Sequence, residues 1–582
     1  MANSYRTNTC GEITKEFLGK KIKVAGWVNS IRDHGGITFI DLREQSGIVQ
    51  IVVNDDKMLK RVSKEAVISV EGLVRLRGED NVNLKLKTGE VEVVAEKLDV
   101  LGAVLAPLPF EVGDSKNVRE DVRLKYRYLD LRDPQLYNNI IFRSQVIDYM
   151  RQEMKKMGFM EIQTPIITAS SPEGARDFII PARQHPGKFY ALPQSPQVFK
   201  QLLMCSGFEK YFQIAPCFRD EDARADRAAG EFYQLDMEMA FSTQEDWFEV
   251  GEKLYQSIFS HFSNREFSKP PFRRIPYFES MEKYGTDKPD LRNPLLICDC
   301  TSIFAKTNFN AFKNSTVKAI CVDDMAGQPR SFYDNLTTFM VNNGSKGLAW
   351  IKVEEGLKFN SPIAKFLSEE EIAGLIKTLN AKVGSSIFLL AGKKALTTKL
   401  AGILRKELGE RLNLIDKNRY EFCWITEFPL YELTDDGALD FAHNPFSQPR
   451  GGMKALTELD PLEIHADQWD LVCNGYELAS GAVRNHDCEV MEKMFEIVGY
   501  GADVVRAKFG ALYDAFKYGA PPHAGMAPGI DRTLMLLLDQ NAIRDVIAFP
   551  LNKSAYDPLM NAPSVVTKKQ LDEVHIKIDI KE

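Results

Sequence analysis

The chain reads as a multidomain α+β protein: a small closed β-barrel, then a domain on an antiparallel sheet flanked by helices, interrupted by an inserted α/β domain. Three observations predict this. Residues 1–105 hold five short apolar-alternating runs separated by Gly, Asn and Asp turns. Two alternating runs, ending at Arg219 and beginning at Phe232, flank an arginine-rich loop. Residues 288–420 carry their own mixture of strand-like and helix-like runs. A length of 582 residues suits three or four domains.

In the first segment, Ile22, Val24, Gly26 and Val28 alternate with polar or larger residues. The runs ITFIDL (37–42), IVQIVV (48–53), AVISVEGLVRL (66–76) and GEVEVVAEKLDVL (89–101) follow. Five such strands predict a barrel of the OB type. Alternate side chains of a strand face opposite ways. Thr38, Ile40 and Leu42 therefore share one side and Phe39 takes the other, while inward Val49, Ile51 and Val53 turn Gln50 outward. An exposed Phe and Gln suit stacking on, and edge-reading of, an unpaired base. A Phe covered by a neighbouring loop is the plainer reading.

A charged hinge spans residues 106–138. The sheet domain then runs in two parts, 139–287 and 421–582, on either side of the insertion at 288–420. Phe142, Val146, Ile147, Met150, Met154 and Met157 predict a helix from about Asn139 to Met157, ended by Gly158. FMEIQTP (159–165) predicts a short strand closed by Pro165. In the insertion, AWIKVE and SSIFLLAG read as strands, SEEEIAGLIKTL and ALTTKLAGILRKEL as helices.

Three clusters carry chemistry. FRDEDARADRAAGEFYQLDME (218–238) is a strand–loop–strand. Phe232, Gln234, Asp236 and Glu238 share one face, and Tyr233, Leu235, Met237 and Met239 the other. A sheet that is apolar below and charged above makes a floor for a charged ligand. In QWDLVCNGYELASGAVRNH (468–486) the Asn–Gly turn lets Asp470 and Glu477 converge across a hairpin, oxygen ligands of the kind that suit Mg²⁺ bridging phosphates. In HAGMAPGIDRTLMLLL (523–538) Arg532 falls in the first turn of a helix, whose free N–H groups attract phosphate. A cap by Asp531 is compatible with that.

The first cluster resembles motif 2 of the class II aminoacyl-tRNA synthetases, in the form carried by the bacterial-type aspartyl branch. The third resembles motif 3, and the helix and strand of 139–165 resemble motif 1, which in this family forms the homodimer interface. The resemblance covers nearly the whole chain. It implies activation of L-aspartate by ATP, with Mg²⁺, to aspartyl-adenylate, and transfer to tRNA-Asp. Arg219, Glu221 and Arg532 are then catalytic. Asp220, Arg227, Phe232, Glu477, Gly529, Ile530 and Asp531 join them around ATP, with Asp470 and Glu477 on the metal. Glu173, Ser195, Gln197, Lys200, Arg219, Asp236, His443 and Arg484 hold aspartate, Lys200 and Arg484 matching its side-chain carboxylate. Arg32, His34, Phe39, Gln50, Glu92 and Arg224 meet tRNA. His34 stands where strictly discriminating relatives often carry Leu, which points to charging of tRNA-Asn as well. The alternatives are an asparaginyl or lysyl relative and a non-catalytic tRNA-binding paralogue.

Some positions depart from the family pattern. The motif 2 loop is one residue longer, with Ala228 where a Gln meets ATP. Asn444 follows His443 in place of a second His, and Ala479 and Ser480 replace glycines. Composition narrows the setting. Net charge is −7, against indiscriminate polyanion binding, so neither DNA nor a membrane is expected as a partner. No apolar run approaches the roughly 20 residues of a membrane span. The nine cysteines are scattered and MANSYRTNTC lacks a signal pattern, which predicts reduced thiols in a cytoplasm.

Overall fold

The computed structural model describes residues 3–170, 174–434 and 436–580. Its contacts divide into two compact units, Met1–Glu111 and Val112–Glu582.

The first unit is a closed five-stranded barrel. Lys21–Asp33, Thr38–Glu44, Gly47–Val53, Val91–Gly102 and Val67–Leu76 pair in that order and close on the first strand. Ile22, Val24, Val28, Ile40, Leu42, Val49, Ile51, Ile68, Val70 and Val93 fill the interior. Each such side chain taken fully out of water contributes roughly 1.5–3 kcal/mol. β-Branched residues dominate because their stiff side chains pack well on a pleated surface.

The second unit is built on an eight-stranded sheet. Its order is Arg273–Pro276, Phe422–Pro429, His465–Cys473, Tyr476–Val483, His523–Pro528, Gly230–Ala240, Lys210–Arg219 and Met160–Glu161. The two edge pairings are parallel and the interior ones antiparallel. Helices Pro134–Lys156 and Gln244–Phe262 cover one face. Val146, Met150, Met154, Trp247, Leu254, Tyr255 and Phe259 pack there on Leu235, Met237, Trp424, Trp469 and Leu471. The opposite face is left for polar side chains.

The first of these helices begins five residues before the expected start at Asn139. Asp133 caps it by accepting from the amides of Gln135 and Leu136, and Pro134 takes the first position, where no donor is needed. Only Met160–Glu161 of the expected strand at 159–165 pairs with a neighbour. Within the same unit, Cys298–Asp299, Thr316–Val322, Ser386–Gly392, Ala349–Glu354 and Lys358–Asn360 form a second sheet, all of its ladders antiparallel. Helices Arg330–Asn342, Glu369–Leu379 and Lys394–Arg411 pack against it, around Leu336, Phe388, Leu404 and Leu375. No helix of the described residues is long and apolar enough to cross a membrane.

Candidate active site

The strands Lys210–Arg219 and Gly230–Ala240 pair from Arg219↔Gly230 to Lys210↔Met239, so the charged face expected from alternation is continuous across them. Two cavities open on it. One, of about 290 Å³, is lined by Ser195, Gln197, Lys200, Asp236, His443, Asp470 and Arg484, among others. The other, of about 300 Å³, is lined by Arg224, Arg227, Phe232, Gly529, Asp531 and Arg532, among others. Among the described residues, Arg219, Gln234, Lys288, Glu477 and Ala527 line both.

The floor of the first cavity is a buried charge chain. Lys200 Nζ donates to Asp236 Oδ1 at 2.7 Å and lies 3.3 Å from Glu238 Oε2. Arg484 Nε donates to Glu238 Oε1 at 3.0 Å and Nη2 to Oε2 at 3.3 Å. All four residues are at most 5% exposed. Burial works against both carboxylates. For Glu238 the paired cations win and hold its pKa below the usual value; Asp236, less well paired, is raised. Asp236 Oδ2 lacks a hydrogen-bond partner; the Tyr211 hydroxyl close to this carboxylate donates to Gln213 Oε1. Gln197 Nε2, Arg219 Nε and Asp470 Oδ1 are also buried without a hydrogen-bond partner. Such atoms are costly unless a ligand meets them. The chain fits because Gly525 faces Glu238 across the ladder; a β-carbon there would sit 1.7 Å from the Glu238 carboxylate.

The hairpin His465–Cys473/Tyr476–Val483 turns at Asn474 and Gly475, both with positive φ, and its register shifts between Leu471 and Val472. Asp470 and Glu477 thereby reach the same cavity. Burial and the facing Glu477 push Asp470 up to about 8. Lys288 Nζ stands 3.3 Å from Glu477 Oε2. Among the described residues no group of three or more His, Cys, Asp or Glu could hold a metal ion. Mg²⁺ is commonly held by one or two carboxylates together with substrate phosphates, and the orphaned Asp470 Oδ1 beside Glu477 fits that smaller role.

The second cavity is cationic. Burial and the nearby guanidiniums of Arg219 and Arg532 depress the Arg227 pKa. The Arg219 guanidinium carbon lies 5.0 Å from the Phe232 ring centroid. Arg532, on the helix Ile530–Leu537, donates to the Glu477 and Asp226 carbonyl oxygens at 3.0 and 3.1 Å, tying that helix to the motif 2 loop.

Several expected residues stand elsewhere. Glu221 pairs with Arg227, and neither Asp220 nor Glu221 is among the residues lining these two cavities. The Ile530 side chain is in the apolar core. Asp531 does not cap its helix: Gly529 is the N-cap, and the Asp531 carboxylate accepts from Arg143 and from the Tyr233 amide. Arg224, expected at tRNA, lines the second cavity. Glu173 lies outside the described residues. Glu238, Lys288, Arg143 and Gln468 escaped the sequence reading of the site. For Glu238 the shared parity with Asp236 was the available signal; for Lys288 there was none.

On the barrel, Gln50 is 7% exposed, where alternation predicts an exposed amide. Its Nε2 donates to Glu92 Oε2 at 2.8 Å and its Oε1 accepts from Arg32 at 3.2 Å. The cover comes from the adjacent strand, since Gln50 pairs with Glu92 in the parallel ladder. Phe39 is half-buried, with the His34 ring edge-on at 5.6 Å.

A family model described as "tRNA synthetases class II (D, K and N)" matches residues 119–553, and one described as "OB-fold nucleic acid binding domain" matches residues 22–101. The chain is similar to an aspartate–tRNA(Asp/Asn) ligase of Rickettsia prowazekii, 51% identical over 99% of this chain and 98% of the relative. It is 50% identical to an aspartate–tRNA ligase of Streptomyces coelicolor over the same shares. In fold it is similar to an asparaginyl-tRNA synthetase from Pyrococcus horikoshii solved with asparaginyl-adenylate, at a TM-score of 0.57 and 20% identity, covering 93% of this chain and 97% of that one. With three-quarters of the chain inside the first family match, and charged cavities meeting at Arg219 on the sheet that match contains, this chain belongs to the class II tRNA synthetases of the D, K and N group.

Proposed function

We propose that the chain is an aspartate–tRNA ligase. It joins L-aspartate to ATP, giving aspartyl-adenylate and pyrophosphate, then transfers the aspartyl group to the 3′-hydroxyl of the terminal adenosine of tRNA-Asp. The observation that carries this reading is the pair of cavities meeting at Arg219, one floored by the buried cations Lys200 and Arg484.

Lys200 and Arg484 receive the side-chain carboxylate of aspartate. Asp236 Oδ2 accepts from the substrate ammonium, with Ser195, Gln197 and His443 lining the same cavity. The α-carboxylate then lies toward Arg219, where the second cavity begins. ATP stacks its adenine on Phe232 and sets its α-phosphate at Arg219. Arg227, once released from Glu221, and Arg532 serve the distal phosphates. A carboxylate oxygen attacks the α-phosphorus as the bond to pyrophosphate breaks. Arg219 stabilises charge on the equatorial oxygens with a rigid fork of donors. Asp470 and Glu477 would hold Mg²⁺, which neutralises phosphate charge. No side chain need become a covalent nucleophile.

Asparagine offers these cations an amide whose N–H groups face other donors. A site built to hydrogen-bond a substrate group rejects an analogue lacking that group by roughly 10⁴–10⁵-fold. ATP–pyrophosphate exchange with aspartate, asparagine and lysine tests the reading: exchange with aspartate alone is expected, and asparagine as the better substrate would end it.

The barrel serves the anticodon through Arg32, His34, Phe39, Gln50 and Glu92, and the enzyme works as a cytoplasmic homodimer. A second reading adds tRNA-Asn as acceptor. It rests on His34, which stands against Phe39, and on the Rickettsia prowazekii relative, named for both tRNAs. Side-by-side charging of purified tRNA-Asp and tRNA-Asn tests it, and negligible aspartylation of tRNA-Asn would exclude it.

A further inference from the structure

Lys288 belongs to none of the three motif clusters, yet it shares with Arg219 the boundary between the two cavities. It sits on a bend after the helix Tyr277–Tyr284. Its Nζ lies 2.5 Å from Asp287 Oδ2 and 3.3 Å from Glu477 Oε2. An ammonium carries three donors. These contacts engage two of them, and the side chain keeps 33% of its surface exposed.

The bend is fixed from two sides. The Gly475 turn lies against it: a β-carbon there would sit 3.8 Å from the Lys288 carbonyl oxygen. Arg405, on the helix Lys394–Arg411 that packs on the second sheet, donates to the carbonyls of Asp290, Asn293 and Leu295 at 3.0, 2.7 and 2.6 Å. Lys288 is thus a tethered cation on an anchored segment that lines both cavities, with a donor left over from its two contacts.

We propose that Lys288 is a further catalytic residue of the activation step, donating with Arg219 to the oxygens at which the amino-acid carboxylate meets the α-phosphate. This rests on the function proposed above. Two anions must come together at the junction, and a second fixed cation there stabilises the charge on the attacking group and the phosphoryl oxygens as the new phosphorus–oxygen bond forms. The competing role is that of a counter-ion, present only to neutralise Asp470 and Glu477 until Mg²⁺ arrives.

Exchange kinetics of Lys288→Met, Lys288→Gln and Lys288→Arg, with kcat and KM measured separately for aspartate and ATP across a Mg²⁺ titration, distinguish the two. The side chain is one-third exposed and its segment is held by backbone contacts from Arg405, so the variants are expected to fold, checked by thermal unfolding. The proposal expects kcat to fall roughly 10²–10³-fold in Lys288→Met and Lys288→Gln at saturating Mg²⁺. Both KM values should change little, and Lys288→Arg should recover most of the loss. Parent-like kcat in the Met and Gln variants, or loss abolished by added Mg²⁺, overturns it. A parent protein that fails to exchange with aspartate would overturn the functional reading instead.

Discussion

The floor of the first cavity and the outer face of the barrel use the same kinds of side chain to opposite ends. On the sheet, Lys200, Asp236, Glu238 and Arg484 are at most 5% exposed, and Asp236 Oδ2 is left without a donor. On the barrel, Arg32 pairs with Asp41 at 2.6 Å and Arg75 with Glu92 at 2.7 Å, the arginine side chains 43% and 49% exposed. Gln50 donates to Glu92 and its own oxygen accepts from Arg32. A buried chain with an orphaned acceptor is preorganised: a ligand completes it and nothing has to be broken. A set of satisfied partners closed by half-exposed arginines is a latch. Its pairs are individually worth about 0–1 kcal/mol, so a nucleotide can replace them at small cost. The first arrangement suits a small, sharply defined metabolite and the second a large, conformable polymer.

The strongest test of the sheet side is Arg219→Ala. Adenylate formation should fall at least about 10³-fold, with the thermal unfolding midpoint unchanged because Arg219 ends its strand at a cavity. A variant retaining a tenth of parental exchange would remove Arg219 from the junction.

Arg484→Leu comes next and separates binding from folding. Aspartate KM should rise roughly 10–150-fold, the worth of one charge-assisted hydrogen bond. The variant should also lose about 3–5 kcal/mol of stability, because Glu238 is left buried with Lys200 alone. Arg484→Leu combined with Glu238→Gln should regain much of the stability without regaining affinity. Parental KM in the double variant would show that Arg484 only serves Glu238.

The pH profile sharpens the same point. Asp236 holds its proton more tightly than a free carboxyl, because burial outweighs Lys200. Its protonated fraction grows as pH falls toward that raised pKa, and a neutral carboxyl cannot pair with the substrate ammonium. The acid limb of kcat/KM for aspartate should therefore lie above the ordinary carboxylate pKa, and Asp236→Asn should abolish it. An acid limb at the ordinary value would place the ammonium elsewhere.

On the barrel, Phe39→Ala should weaken tRNA binding by about 1–3 kcal/mol, the worth of one stacked base, and leave ATP–pyrophosphate exchange untouched. Equal affinity would move the anticodon contact off this face. The smallest effect is expected from Arg75→Ala. Arg75 is half-exposed and its buried partner Glu92 keeps the Gln50 amide as a donor, so the pair should contribute about 1 kcal/mol to stability, and a larger loss would mean that the barrel face is as preorganised as the cavity floor.

The alternation rule located the barrel interior and the charged face of strands 210–219 and 230–240, because facing in a strand is set by position alone. It missed the cover on Gln50, which comes from a neighbouring strand 42 residues away in sequence. Alternation says nothing of Asp531, which lines the second cavity but does not cap its helix. A first-turn acidic residue reads as a cap, and only the helix crossing above supplies Arg143 to draw it off. Glu238 was visible on the correct face, but its role as common partner to Lys200 and Arg484 needed three separate segments in space.

Local order, then, was settled by the residues themselves: periodicity, turn signals and motif spacing specify strands, their faces and the three clusters. Which charges pair, which polar atoms stay orphaned and which cation enters from outside the motifs was decided only when the sheet closed. Those properties depend on burial and on distances of about 3 Å between residues hundreds of positions apart, and electrostatic energy varies steeply with both.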